Sequence, residues 1–325
     1  MRSPPHEWEG PDLWEQGGAS GVDGLPGRVN RYGIAKARAV DAAEYIGREC
    51  SAAVGAEVAR CGEYLLFREY WTVDEVRLHA ARFCRRHLLC PLCAIRRGAK
   101  ALQAYLPRFE SVRASRPDLG AFLVTLTVKD GADLRERFRH LMRSQRELWM
   151  RKHRGRSGWA SAVEAAVWSY EVKRGVGSGL WHPHLHMVAM ARDLAVEGAG
   201  ALGALSAEWH AITGDSWMVD VRPISQAEPA SGFLEVFKYA VKFSALELAD
   251  LVEVYRVLSG RRLVGSAGLF RGVEIPVELT DEPLEGLPYV ERLFRWFEGR
   301  RGYAAVPVAE RGQGSAVASP ASASC

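Results

Sequence analysis

The 325-residue chain has no apolar run approaching the roughly 20 residues that cross a bilayer, so no spanning helix and no membrane partner are expected. Met1–Trp8 carries charge and proline but no apolar core, which argues against a secretory leader and for a cytoplasmic location. No internal repeat is present. Cysteine is scarce: of six in the chain, four (Cys61, Cys84, Cys90 and Cys93) fall within one segment. Acidic residues are missing altogether from Arg82 to Lys100, which holds six basic ones. Between Arg135 and Arg156 nine basic residues face only Glu136 and Glu147. A net charge of +4 would not by itself suggest a polyanionic partner, but these two local excesses do.

What is there describes a globular protein, with enough length for a sizeable core in one large domain or two. Residues 1–35 are rich in Gly, Pro and charge without a period and are expected to be disordered, as is the Ser/Ala/Gly-rich tail at 309–325. A helix is predicted from Lys36 to about Gly55, and another ends near Leu106, before Pro107. Phe122–Val128 reads as a buried strand, and Leu134, Phe138, Leu141, Leu148 and Trp149 recur at helical spacing. Ala165–Val172 reads as a second strand, joined through Gly175–Gly179 to the strand that follows in a hairpin. Ala204–Thr213 is predicted helical, Met218–Arg222 a strand, and Gly232 to about Val257 one or two helices. The pattern gives an α+β fold with a central antiparallel sheet flanked by helices. It divides into a helical, zinc-binding basic lobe (36–110), a main domain (111–275) and a C-terminal extension (276–308).

Three constellations carry chemistry. Cys90-Pro-Leu-Cys93 is a tight C-x-x-C with Cys84 six residues earlier, and in a reducing compartment this favours tetrahedral zinc over disulfides. Cys61 is the fourth ligand, although His79 or His87 could replace it. Flanking arginines and the lack of a thioredoxin-like strand–helix context disfavour redox chemistry. On the strand Trp181–Met190, His184 and His186 project from one face, and two imidazoles so spaced can share one metal ion. On a helix Glu235, Tyr239 and Lys242 form one stripe at i, i+4 and i+7. A phenol is a poor nucleophile at neutral pH unless a cation and a base stand beside it; Lys242 can supply the charge and Glu235 the base. The alternative is a half-buried helix tyrosine flanked by surface charges.

Together these segments resemble the replication initiators of rolling-circle plasmids in the HUH superfamily, in the branch with one catalytic tyrosine. Phe122–Lys129 looks like that family's first motif, Trp181–Val188 like its metal motif and Glu235–Lys242 like its tyrosine motif. Cys84–Cys93 followed by Arg96-Arg97 looks like its basic cysteine segment, and Gly260–Gly268 like a stretch after the tyrosine helix. The likeness runs in order from about Cys61 to Gly272. It implies an HUH endonuclease-like fold, with His184 and His186 holding Mg²⁺ or Mn²⁺. A third ligand comes from the neighbouring strand, with Glu171 preferred over His182. It also implies that Tyr239 attacks the scissile phosphate, leaving a 5′-phosphotyrosine. The positions one turn from Tyr239 hold Glu235 and Phe243, which implies a single nucleophile, with Glu235 activating water for the closing cleavage. Arg85, Arg86, Arg96 and Arg97 would contact the phosphates of plasmid origin DNA, supercoiled or extruded and single-stranded at the nick. A host helicase and replication machinery would follow. The rival readings are a transposase of the same superfamily and a non-enzymatic zinc-dependent DNA-binding protein. The second leaves the histidines, Glu235 and Tyr239 without a role.

Overall fold

The computed structural model describes residues 24–175, 177–192, 199–225, 230–238, 242–243 and 246–307. Tyr239, the predicted nucleophile, lies outside them, as do residues 1–23 and 308–325. The chain is α+β, built on two antiparallel sheets.

The larger sheet is built on apolar strands. It runs β6 (Val219–Pro223), β3 (Leu119–Thr127), β5 (Trp181–Arg192), β4 (Val163–Arg174) and β7 (Val264–Gly268). Of these, β4 and β5 are buried almost throughout because both faces are covered. β4 and β5 form the predicted hairpin, in a register that pairs Glu171 with His184 and Ser169 with His186. β5 is central, where a proline would break the ladder. Pro183 is accommodated because β3 pairs with β5 only from His184 onward, so no β3 partner needs its missing N–H.

One face of this sheet packs on α4 (Leu134–His153), which buries Leu134, Phe138, Leu141 and Leu148. That core also takes in α6 (Ala199–Thr213) and α8 (Leu248–Leu258). The other face packs on α3 (Pro91–Ser115) and α7 (Ala230–Phe237) through Tyr105, Phe109, Phe233 and Phe237. This face explains why α3 outruns its expected end. Pro107 sits inside the helix, and the one lost backbone bond is offset by continuing the apolar stripe through Phe109 and Val112.

The smaller sheet, β2 (Glu75–Ala81), β1 (Tyr64–Tyr70), β8 (Val290–Phe297) and β9 (Gly302–Val306), packs on α1 (Gly24–Glu49) and α2 (Ala52–Arg60). Two boundaries therefore move. Helix α1 starts at Gly24 rather than Lys36, because Tyr32 and Ala35 are buried against the lobe. The segment expected as a C-terminal extension contains β8, which pairs along β1, so residues 290–306 complete the lobe that α1 and α2 begin.

Candidate metal centres

Two clusters of metal-ligating side chains stand out among the described residues. The first joins Cys61, Cys84, Cys90 and Cys93, whose sulfurs all lie within 4.8 Å of one another. Cys61 Sγ is 3.5 Å and Cys84 Sγ 3.6 Å from Cys93 Sγ. Four thiolates about 2.3 Å from a tetrahedral zinc stand roughly 3.8 Å apart, so the donor set and spacing fit that ion. Cys90 is the N-cap of α3, with Pro91 at its first turn, so the C-x-x-C opens that helix, and hydrogen bonding with Cys61 together with burial pushes the Cys90 and Cys93 thiols up. Hydrogen bonds from Cys61, Cys90 and Cys93 hold the Cys84 thiol well below the ordinary range. Buried Lys36 donates to the Ala59 carbonyl; burial lowers its pKa, and the charges of Cys61 and Cys90 oppose that fall. The sequence reading passed over this cation. The choice left open between Cys61 and a histidine falls to Cys61.

The second cluster is Glu171, His184 and His186, all buried. Glu171 Oε1 is 3.3 Å from His184 Nε2, and Oε2 is 3.2 Å from His186 Nε2. Both imidazoles are turned by their other nitrogen. His184 Nδ1–H donates to the His182 carbonyl at 3.2 Å, and His186 Nδ1 is 3.1 Å from Thr125 Oγ1. This leaves both Nε2 atoms facing the carboxylate, the arrangement that outer partners impose on metal-binding histidines. Glu171 Oε1 and His186 Nε2 are buried without a hydrogen-bond partner. Such orphans are costly unless something else satisfies them, and a divalent cation fits both. Burial opposes ionisation of Glu171, yet His184 and Lys242 hold its carboxyl well below the usual range. Burial pushes the His184 imidazole down to about 4 against the pull of Glu171, so it is neutral and able to ligate at pH 7. The competing ligand, His182, is turned to Asp130 Oδ1 at 2.5 Å.

The α7 segment abuts this set. Ser169 Oγ–H donates to the Val236 carbonyl at 2.5 Å, tying helix to sheet. Lys242 Nζ donates to Glu171 Oε2 at 2.8 Å and to Glu235 Oε1 at 2.6 Å. Glu235 Oε1 also stands 3.9 Å from His186 Nε2. Burial would lower the Lys242 pKa, but the two carboxylates raise it, so the amine is charged. Lys173 Nζ also stands 3.5 Å from Glu171 Oε1 and Lys238 Nζ 4.0 Å from Glu235 Oε2, so both carboxylates are held ionised by lysines. Lys242 is thus a bridge between the metal set and the helix rather than a free charge. Thr125, Ser169 and Asp130 were missed in the sequence. The signal for Thr125 was its place in the Phe122–Lys129 motif, where strand parity sets it opposite His186.

Of the four arginines expected on DNA, Arg96 is corrected. It is 3% exposed and locked to Asp281 Oδ1 at 2.5 Å, to the Leu279 carbonyl and to the Tyr32 hydroxyl. An arginine at that depth holds the C-terminal segment to α3 and cannot reach a phosphate. Arg85 forks onto Glu278, Arg86 onto Glu57, and Arg97 donates to the Pro276 carbonyl, all at or near the surface.

An antiparallel sheet bearing a His₂Glu set, together with a Cys₄ cluster at the start of α3, defines an α+β protein with two candidate metal centres. A family model described as "Replication protein" matches residues 75–288, and the chain belongs to that family. Among curated relatives, "Protein rep" of Streptococcus pneumoniae serotype 2 (strain D39 / NCTC 7466) is 26% identical over 239 residues, covering 69% of this chain and 72% of that one. "Protein rep" of Lactiplantibacillus plantarum is 26% identical over 250 residues, covering 69% and 75%. No solved structure matches. Among the described residues no helix is long and apolar enough to cross a membrane.

Proposed function

We propose that this chain initiates rolling-circle replication of a plasmid by cutting one strand of origin DNA through Tyr239. The observation that carries the reading is the buried Glu171–His184–His186 set with two orphaned polar atoms, joined through Lys242 to Glu235 on the helix leading to Tyr239. A purely structural site has no need of two imidazoles converging on one buried carboxylate, with a second carboxylate bridged to it by Lys242. Replication-family membership favours an initiator over a transposase.

When bound there, a divalent cation supplies Lewis-acid polarisation of the scissile phosphate. The mixed nitrogen and oxygen donors favour Mn²⁺ over Mg²⁺, which prefers oxygen alone. The rest falls to the chain. The Tyr239 phenol gives its proton to water and its oxygen attacks phosphorus; the bond to the 3′-oxygen breaks, and that oxygen takes a proton from water and leaves as a 3′-hydroxyl. The phosphate stays on the phenol as a 5′-phosphotyrosine, so the energy of the broken diester is kept and rejoining needs no nucleotide. The Lys242 ammonium favours a phenolate nearby. Glu235, ionised because Lys242 outweighs its burial, accepts a proton from water in the closing cleavage.

The test is incubation of the full chain with supercoiled origin plasmid and Mn²⁺. Wild type nicks it and stays attached; Tyr239→Phe does neither. Glu235→Ala retains the first cleavage and releases few closed single-stranded circles. Nicking by Tyr239→Phe at the wild-type rate overturns the assignment of the nucleophile, and normal circle release by Glu235→Ala removes that carboxylate from the mechanism.

A further inference from the structure

The basic run on α4 and the glycine-containing stretch Gly260–Gly268 meet at one place that the candidate metal centres do not use. A groove of about 520 Å³ opens between α4, β4 and β7, on the sheet face opposite His184 and His186. Its apolar wall is the half-buried pair Trp149 and Trp168, with rings stacked at 5.6 Å. Gly265 makes the wall possible: a Cβ there would lie 2.6 Å from the Trp168 ring. Arg146 and Arg271 stand exposed on opposite walls. Lys152 lies 5.7 Å from the Trp149 ring centre. The one acid in the lining, Glu164, is paired with Arg192 at 3.1 Å.

The groove is the end of a longer feature. Arg135, Arg139, Arg143 and Arg146 are all exposed and spaced by four, four and three residues, which aligns them along one side of α4. Among the described residues no carboxylate pairs with any of them, whereas Arg137 and Arg151 on the flanks are both paired. A row of unneutralised guanidinium groups leading to an indole pair matches the two requirements of unpaired nucleic acid: cations along the phosphates and an apolar wall for a base. The groove is too small for a duplex.

We propose that this arginine row and the Trp149–Trp168 groove form a second nucleic-acid site, which holds single-stranded DNA on the face of the sheet away from the metal. Together with the proposed function, on which its purpose rests, the site would keep the displaced strand apart from the one being cut. Binding of fluorescent oligothymidine to the full chain tests it, at several salt concentrations. That ligand carries no origin, so the result is independent of whether Tyr239 cuts. Arg143→Ala/Arg146→Ala and, from the other wall, Arg271→Ala are surface changes whose folding is checked by circular dichroism. The double variant should lose about ten-fold in affinity, with a salt slope shallower by about 0.7 for each phosphate contact removed. Arg271→Ala should lose affinity in the same direction. Unchanged affinity and slope in both variants overturn the site. So does a loss confined to duplex DNA, or failure of the wild type to bind the oligonucleotide at all, which would leave the groove to a protein partner.

Discussion

A single arginine shows how far neighbouring residues can differ in what they do. Arg96 and Arg97 sit side by side in a basic run, yet one is sealed against Asp281 and the other reaches only a surface carbonyl. Arg96→Ala leaves Asp281 with less compensation in a buried place and should cost roughly 3–5 kcal/mol. Arg97→Ala should stay within about 0.5 kcal/mol. Urea denaturation of both decides; equal losses would contradict the burial argument. Thr125 touches the candidate Glu171–His184–His186 set through His186. Thr125→Val should weaken Mn²⁺ binding by about 10–100-fold, read by titration calorimetry with the fold unchanged. Wild-type affinity in that variant would remove Thr125 from the site.

Among the elements, β7 is held to β4 by close backbone approach rather than by side chains. Gly268 has φ +61°, and a Cβ there would fall 1.8 Å from the Glu164 carbonyl oxygen. Gly268→Ala should therefore lose at least about 1–3 kcal/mol through strain alone, seen as a lowered Tm; an unchanged Tm would mean the edge can shift freely. Strands β3 to β6 and α4 were legible in the sequence: β3 alternates in burial, β4 and β5 are apolar runs buried almost throughout, and α4 buries residues at helical spacing, whereas β1, β2, β7, β8 and β9 were not foreseen. Glu171 was legible too, because a hairpin of that loop length fixes register and brings its carboxylate opposite His184. The start of α1 and the passage of α3 through Pro107 were not, because both are decided by distant partners that override local signals. The burial of Arg96 was invisible for the same reason: Asp281 lies 185 residues away in the chain.

At the scale of the molecule, α1 and the β8–β9 segment close one lobe, and a buried charge cluster lies within it. Asp281 accepts from Arg96, Arg28 and the Leu78 N–H, with Lys100 3.8 Å away. Burial would raise its pKa, but Arg96 and Arg28 hold it far below the ordinary carboxylate value. The sign follows: stability from this group is full above the unfolded pKa of about 3.9 and is lost as pH falls below it. Asp281→Asn should be less stable than wild type at pH 7 and lose less on going to pH 3.5. A parallel loss in both proteins would show that the carboxylate is not the acid-sensitive group. The proposed function joins this scale to the smallest, because it requires the fold to deliver one phenol to a polarised phosphate. The most direct measurement is to trap the protein–DNA adduct formed with Mn²⁺, digest it with protease and locate the nucleotide-bearing peptide by mass spectrometry. The account predicts the nucleotide on Tyr239, with no adduct from a His184→Ala/His186→Ala protein; attachment to any other residue, or undiminished adduct without the two imidazoles, would contradict it.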